Sequence, residues 1–149
     1  MPGYWALEEA TAAFLKDDWA HTGDAGEIDQ EGYLYIRDRI KDMVVSGGEN
    51  IYPREVENAL FDHPRIVDAA VIGVPDEKFG EALLAVIVTD TGEALSTDEV
   101  IAFCRTKLGG YKVPRRISCV SELPRNASGK VLKQELRKPY WGDGTRGVG

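Results

Sequence analysis

A small α+β domain, with helices packed on a roughly three-stranded sheet and a short β-hairpin beside it, is the fold class this sequence predicts. Three observations predict it. Two nearly continuous apolar runs, "VDAAVIGV" (67–74) and "ALLAVIVT" (82–89), have the length and β-branched content of buried strands. Apolar residues at helical spacing flank that pair, at Val56, Ala59 and Leu60 and again at Val100, Ile101, Cys104 and Leu108. From residue 42 onward the order is therefore strand, helix, strand, strand, helix, strand, loop, helix.

Each element has its own local reason. Residues 7–15, "LEEATAAFL", are short and Ala-rich and read as one or two helical turns. Thr22 to Ile28 and Tyr33 to Arg37 read as two strand arms around a turn at Glu31-Gly32. "DMVVSG" reads as a further strand, closed by the pair Gly47-Gly48. Pro53 suits a first helical position, where its missing N–H costs nothing, and the helix stops before His63-Pro64. "PDEKFGE" is a polar connection between the two buried runs. Ser96 with Glu99 forms a capping-box pattern for the next helix. "RRISCVSEL" reads as a third strand, Val131 to Leu136 begins a last short helix, and the Gly-rich tail reads as frayed.

The first 40 or so residues read as a separate piece, either covering one edge of the domain or belonging to a larger domain outside this chain. At 149 residues, the chain suits one ordinary domain or a small domain with an appendage. No run approaches the roughly 18–20 apolar residues of a membrane span, and no secretory leader pattern opens the chain. Cys104 and Cys119 form neither a C-x-x-C pair nor a disulfide framework, so two reduced thiols are expected. His21 and His63 lack ligand-like spacing, which argues against a structural zinc site.

Net charge is −7, which argues against bulk nucleic-acid binding. Its distribution says more. Residues 1–104 carry 7 Lys/Arg and 22 Asp/Glu, whereas residues 105–138 carry 10 Lys/Arg and only Glu122 and Glu135. A segment this one-sided either forms a solvated face or meets an anion. Within it, "PRNASGKVLK" (124–133) carries a Gly-Lys pair suggestive of phosphate chemistry. A nucleotide-cradling P-loop would need glycine where Pro124 stands and a hydroxyl where Val131 stands, so that motif is excluded.

Taken in order, "HTGDAGEID" (21–29), "YIRDRIKDMVVSGGENIYPREVE" (35–57), "YKVPRRI" (111–117) and "PRNASGKVLK" resemble the C-terminal end of an AMP-forming adenylating enzyme. The resemblance runs from Gly3 to about Arg137, and "SGGENIYPREVE" is most similar to acyl- and aryl-CoA ligases, with the fatty-acid type nearest. It implies that residues 1–38 end a large N-terminal domain, 39–42 form a hinge, 43–138 form a mobile C-terminal domain, and 139–149 form a flexible tail. The implied activity is that of an ATP-dependent acyl-CoA ligase. In it a carboxylate attacks the α-phosphate of ATP, expelling pyrophosphate and leaving an acyl-adenylate, and the thiol of coenzyme A then displaces AMP to give a thioester. Mg2+ is expected in the complete enzyme, with no ligands from these residues. The implied partners are the missing N-terminal domain, a small-molecule carboxylate, ATP and coenzyme A, with no nucleic acid. The implied location is the cytoplasm, with peripheral membrane association left open. A carrier-protein thiol as acceptor, or a free-standing interaction module, are the alternatives.

The resemblance also implies roles for single residues. Asp24 accepts hydrogen bonds from ribose hydroxyls, a task suited to an acceptor-only carboxylate, and Arg39 reaches the same sugar. Without the resemblance, Asp24 would read as closing an Asx-turn and Arg39 as a surface ion pair with Asp38. Lys41 falls at the hinge. Gly47, Gly48 and Glu49 face the pantetheine channel, and Lys112, Arg115 and Arg116 meet the nucleotide end of coenzyme A, with Arg125 and Lys133 as substitutes. Lys130 is the catalytic residue, an ammonium stabilising charge that develops on the α-phosphate and the attacking carboxylate. Read alone it is a solvated loop lysine.

Overall fold

The computed structural model describes residues 2–142 and divides the chain into two compact units, Met1–Ile40 and Lys41–Gly149. In the first, helix α1 (Glu8–Phe14) precedes a minimal hairpin, β1 (Leu15–Lys16) with β2 (Trp19–Ala20). That small hairpin has no counterpart in the expected elements. A second hairpin pairs β3 (Asp24–Ile28) with β4 (Leu34–Arg39) in antiparallel register, as the strand arms predict. Asp29 closes its turn: Oδ1 accepts the N–H groups of Glu31 and Tyr33, each at 2.9 Å. The Tyr33 N–H is the main reason the Asp29 carboxyl is held below the usual carboxylate range. No residue of α1 is buried, and Ile28, Leu34 and Ile36 of the hairpin are exposed.

The second unit is built on β7 (Ile66–Asp76) and β8 (Gly80–Thr89), paired antiparallel along their length. Both apolar runs are covered on both faces, which explains why they lack hydrophobic–polar alternation. On one face Val71, Leu83, Ala85 and Ile87 pack with Val56 and Leu60 of α2 (Pro53–Phe61) and Val100 and Cys104 of α3 (Thr97–Arg105). On the other, Ala70, Ile72, Val74, Leu84 and Val86 meet Leu123, Val131 and Leu136, the last lying on α4 (Lys133–Trp141). Each fully buried aliphatic side chain contributes about 1.5–3 kcal/mol.

The expected three-stranded centre is enlarged to five strands. β9 (Arg116–Cys119) runs parallel to β8, and β5 (Val44–Ser46) joins the same edge of β8 through Ser46↔Gly80, bringing its hairpin partner β6 (Glu49–Ile51). Glu81 helps to hold β5, its Oε2 accepting the Val45 N–H at 3.2 Å. Helix α4 begins two residues later than the sequence suggests, because Val131 bridges to Arg125, and it continues through Pro139 to Trp141. Residues 139–141 are thus helical, while 143–149 of the expected tail lie outside the described residues. Ser96 does cap α3, accepting the Glu99 N–H at 3.2 Å, but the Glu99 carboxylate turns to His63 Nε2, 3.9 Å away. His63 packs on the Phe103 ring and accepts the Arg65 N–H. Burial pushes the Cys104 thiol above its ordinary value, consistent with a core role.

β7 is the outer strand of this sheet, and two of its backbone groups are answered by side chains of α2 and α4. Glu57 Oε1 accepts the Val71 N–H at 2.9 Å and meets Lys133 Nζ at 2.7 Å, while Trp141 Nε1 donates to the Gly73 carbonyl at 2.9 Å. Glu57 is only 6% exposed, so removing it strands both a buried N–H and a largely buried ammonium. Glu57→Ala is therefore expected to cost roughly 3 kcal/mol in urea unfolding, with much of that loss avoided when Lys133→Met accompanies Glu57→Leu. A loss below about 1 kcal/mol for Glu57→Ala would contradict this account of the edge.

Candidate functional site

Three groups of side chains carry the candidate chemistry. The first lies in the unit Met1–Ile40, where the β3–β4 register places Asp24 directly opposite Arg39. Arg39 Nε lies 2.7 Å from Asp24 Oδ1. The structure therefore joins the two expected ribose contacts in one ion pair. Asp38, the partner a local reading assigns to Arg39, uses Oδ1 to accept the Arg39 backbone N–H instead. The Asp24 N–H goes to Thr22 Oγ1 at 3.2 Å, so the turn is closed by threonine and not by an Asx-turn of Asp24. Lys41 is exposed, in the 3-10 turn Ile40–Asp42, and the next residue, Asp42, is fixed by Arg137 Nη2 at 2.8 Å.

The second group is the loop 124–132. Its base is closed by the Leu132 N–H on the Pro124 carbonyl (2.7 Å) and by the Arg125↔Val131 bridge. At its tip, Asn126 Oδ1 accepts from Ser128 N (3.1 Å), Ser128 Oγ (2.8 Å) and Lys130 N (2.9 Å), and the Asn126 N–H donates to the Lys130 carbonyl. Gly129 has φ +81°, the left-handed geometry that this tight return requires. Arg125 spans two acceptors, with Nη1 on the Gly129 carbonyl at 2.5 Å and Nη2 on Asp68 Oδ2 at 2.6 Å.

The third group surrounds Phe79, a residue that the sequence reading passed over inside a "polar connection". Asp76 Oδ1 accepts the N–H groups of Lys78 and Phe79, both at 3.0 Å, and so shapes the β7–β8 turn. The Phe79 carbonyl accepts the Gly47 N–H at 2.9 Å. The Arg115 guanidinium lies 4.1 Å from the Phe79 ring centroid and Lys78 Nζ 5.2 Å from it, both within cation–π range. Gly47 and Gly48 have φ of +60° and +88°, which the two-residue turn between β5 and β6 demands, and Glu49 is exposed just beyond. Arg116 borders an open depression of about 610 Å³, together with Pro75, Asp76, Glu77, Lys78 and Gly80.

Ion pairing sorts the basic segment. Six of its ten cations are matched by carboxylates: Lys107 with Asp62, Lys112 with Glu55, Arg125 with Asp68, Lys133 with Glu57, Arg137 with Asp42 and Lys138 with Glu135. Lys112 Nζ contacts both Glu55 oxygens, at 2.6 and 2.7 Å, and that hydrogen bonding holds its pKa above the usual lysine value. Lys112 is thus tied to α2 and does not share the partners of Arg115. Arg125 and Lys133, the substitutes for binding an anion, are likewise engaged within the fold. Arg105, Arg115, Arg116 and Lys130 form no ion pair among the described residues. No group of three or more His, Cys, Asp or Glu among the described residues is arranged to hold a metal ion. Nor is any helix there long and apolar enough to cross a membrane.

Residues 55–130 match the AMP-binding enzyme C-terminal domain family. Feruloyl-CoA synthase of Amycolatopsis sp is 49% identical over 140 residues, covering 94% of this chain and 28% of that protein. Fatty acid–[acyl-carrier-protein] ligase ScoC of Streptomyces coeruleorubidus is 46% identical over 148 residues, covering 99% and 28%. The solved Mycobacterium tuberculosis fatty acyl CoA synthetase aligns with a TM-score of 0.69 at 47% identity, covering 93% of this chain and 27% of that one. The chain thus spans about 28% of the length of the curated relatives it matches.

The glycine turn gives a direct test of how the third group is held. An alanine Cβ at position 47 would lie 3.0 Å from Phe79 Cδ1, whereas at 48 it meets open space. Both substitutions force an L-residue into left-handed backbone, at about 1–2 kcal/mol. Gly47→Ala is expected to lower the urea midpoint more than Gly48→Ala, because it also displaces the Phe79 ring. Equal shifts would show that the ring yields freely.

Proposed function

Because the chain belongs to the AMP-binding enzyme C-terminal domain family, we propose that it is the C-terminal portion of an ATP-dependent, AMP-forming acyl-CoA ligase of the fatty-acid type. The observation that carries this reading is the sorting of charges. In a segment where six of ten cations are matched, the fold leaves Lys130, Arg115 and Arg116, together with Arg105, without a carboxylate among the described residues. Cations left unmatched suit substrates that bring their own negative charge.

The reaction has two steps. A carboxylate oxygen attacks the α-phosphorus of ATP, the bond to the pyrophosphate oxygen breaks, and an acyl-adenylate forms. The sulfur of coenzyme A then attacks the acyl carbonyl, AMP leaves, and the thiol proton is released. Lys130 serves the first step. Its ammonium stands on a loop tip fixed by Asn126 and opposes the negative charge building between carboxylate and α-phosphate. Asp24 and Arg39, already joined, hold the ribose. Lys41 is the hinge at the division between the two units, able to turn while its side chain stays in solvent.

For the second step, the Gly47-Gly48 turn lets backbone approach the thin pantetheine arm, with Glu49 at its side. Arg115 and Arg116 take the phosphates of coenzyme A, for which guanidinium forks are well shaped. Arg115 is prepositioned by the Phe79 ring. Lys112 supports them as a tether to α2. Among the described residues no cluster of three or more His, Cys, Asp or Glu is arranged for a metal ion, and the reading assigns Mg2+ to groups outside them.

The partner needed for turnover is a larger N-terminal domain of the same polypeptide, with residues 1–38 as its end and 43–138 as the mobile domain. The relatives' greater length supports this, as do the exposed apolar side chains of β4. The cytoplasm is the compartment consistent with ATP and coenzyme A as substrates. One further reading has a specific basis: the carrier-protein ligase among the relatives favours a carrier thiol as an alternative acceptor. A free-standing interaction module is not favoured, since the similarity to ligases runs along nearly the whole chain.

In the complete polypeptide, Lys130→Ala is expected to slow acyl-adenylate formation by about 10²–10³-fold. Thioester formation from supplied acyl-adenylate and coenzyme A should stay near the parental rate. Equal loss in both half-reactions would overturn the assigned role. The same second assay separates the acceptors: release of AMP with coenzyme A alone supports the ligase reading, and release only with an acyl-carrier protein supports the alternative.

A further inference from the structure

We infer that Arg125 is a positioning residue for Lys130, a two-ended latch that fixes the direction in which the lysine leaves its loop. The inference rests on the role proposed above for Lys130. Its basis is one peptide group, the amide between Gly129 and Lys130. The carbonyl of that amide accepts from Arg125 Nη1 at 2.5 Å, and its N–H donates to Asn126 Oδ1 at 2.9 Å. With both polar ends held, the peptide plane fixes the N–Cα axis of Lys130, and the Asn126 N–H on the Lys130 carbonyl at 2.9 Å limits rotation about it, so the Cα–Cβ direction is held.

The two restraints differ in what they fix. All the contacts of the Asn126 carboxamide lie within residues 126–130, so they shape the loop without orienting it. The second arm of Arg125 reaches outside the loop, to Asp68 Oδ2 at 2.6 Å, on β7 and 57 residues away in sequence. Asp68 is itself fixed, since its Oδ1 accepts the Ala69 N–H at 3.0 Å. Arg125 thereby refers the Gly129–Lys130 peptide to the most buried strand pair of the domain. Without that reference the remaining restraints on the peptide are the loop's own bonds to Asn126, beside Gly129, a glycine at positive φ with open space around it.

Only arginine meets the geometry. A planar fork donates in fixed directions to a carbonyl and a carboxylate at once, whereas a lysine ammonium on a flexible stem does not hold two separate acceptors in one plane. The pairing also explains why Arg125 is not counted with Arg115 and Arg116 as an anion ligand, although it lies beside the reacting loop.

The test uses the complete enzyme and both half-reactions. Arg125→Ala is expected to lower kcat for acyl-adenylate formation by about tenfold to a hundredfold, the effect of a small misplacement of a reacting group. KM for ATP and carboxylate should change little, and thioester formation from supplied acyl-adenylate should be retained. Arg125→Lys keeps the pairing with Asp68 but loses the fork, and should remain impaired. In a Lys130→Ala background, Arg125→Ala should cost nothing more, since a residue acting through Lys130 has no effect once Lys130 is gone. A raised KM for coenzyme A, or added loss in the Lys130→Ala background, would show that Arg125 acts on substrate itself and would overturn the inference. Full activity of Arg125→Ala alongside a defective Lys130→Ala would overturn it while leaving the proposed function standing. Full activity of both would sink the role of Lys130 as well. Should Arg125→Ala fail to fold, Arg125→Gln and Arg125→Lys carry the same comparison.

Discussion

The antiparallel pairing of β7 with β8 is the constraint on which the rest of the larger unit depends. Its register runs from Ile66↔Thr89 to Asp76↔Gly80, and both faces are apolar. A strand pair that water touches on neither side must be covered twice, so α2 and α3 take one face and the 123–136 segment the other. The same pairing leaves β7 with an outer edge, where two backbone groups are met by side chains of neighbouring helices. Glu57 answers an N–H and Trp141 a carbonyl, and these contacts draw α2 and α4 toward the same strand. Lys133, and with it the start of α4, is fixed by the same Glu57 carboxylate.

How far the sequence disclosed this follows from where the information resides. The strands β7 and β8 are legible because an unbroken β-branched run has few other uses. β6 is not, because Glu49 and Asn50 are polar and exposed, and only Ile51 reports burial. Its existence depends on the Gly47-Gly48 turn and on its partner strand β5, both of which the sequence signals, while its own residues carry no strand pattern. The start of helix α4 is hidden in the sequence for a related reason. Val131 has the right periodicity for a helix, yet it is taken by a bridge to Arg125 and by the core.

The candidate site shows the same division. Lys130, Asp24, Arg39 and the glycine pair are recognisable from local motifs. Phe79 is not, because its importance comes from Gly47 and Arg115, which are remote in sequence. The basic segment looked uniform for a similar reason. Five of its six matching acids, Asp42, Glu55, Glu57, Asp62 and Asp68, come from the acidic part of the chain, and only Glu135 lies within the segment. Only folding distinguishes cations that brace the domain from cations left without a carboxylate. Local composition records charge, whereas availability is a tertiary property.

Strand β7 also acts as a spacer. Asp68, which anchors the Lys130 loop, and Asp76, which shapes the Phe79 turn, stand at its two ends. Eight residues of extended chain at about 3.3 Å each separate them by roughly 26 Å. That span far exceeds the few ångströms over which an ammonium or a thiol channel acts on a single acyl carbon. On the proposed reading, a rigid body with its two working ends so far apart has to present them in turn, like the opposite faces of a seal. The length of one buried strand would then set the order of events, because occupying the centre with one end withdraws the other.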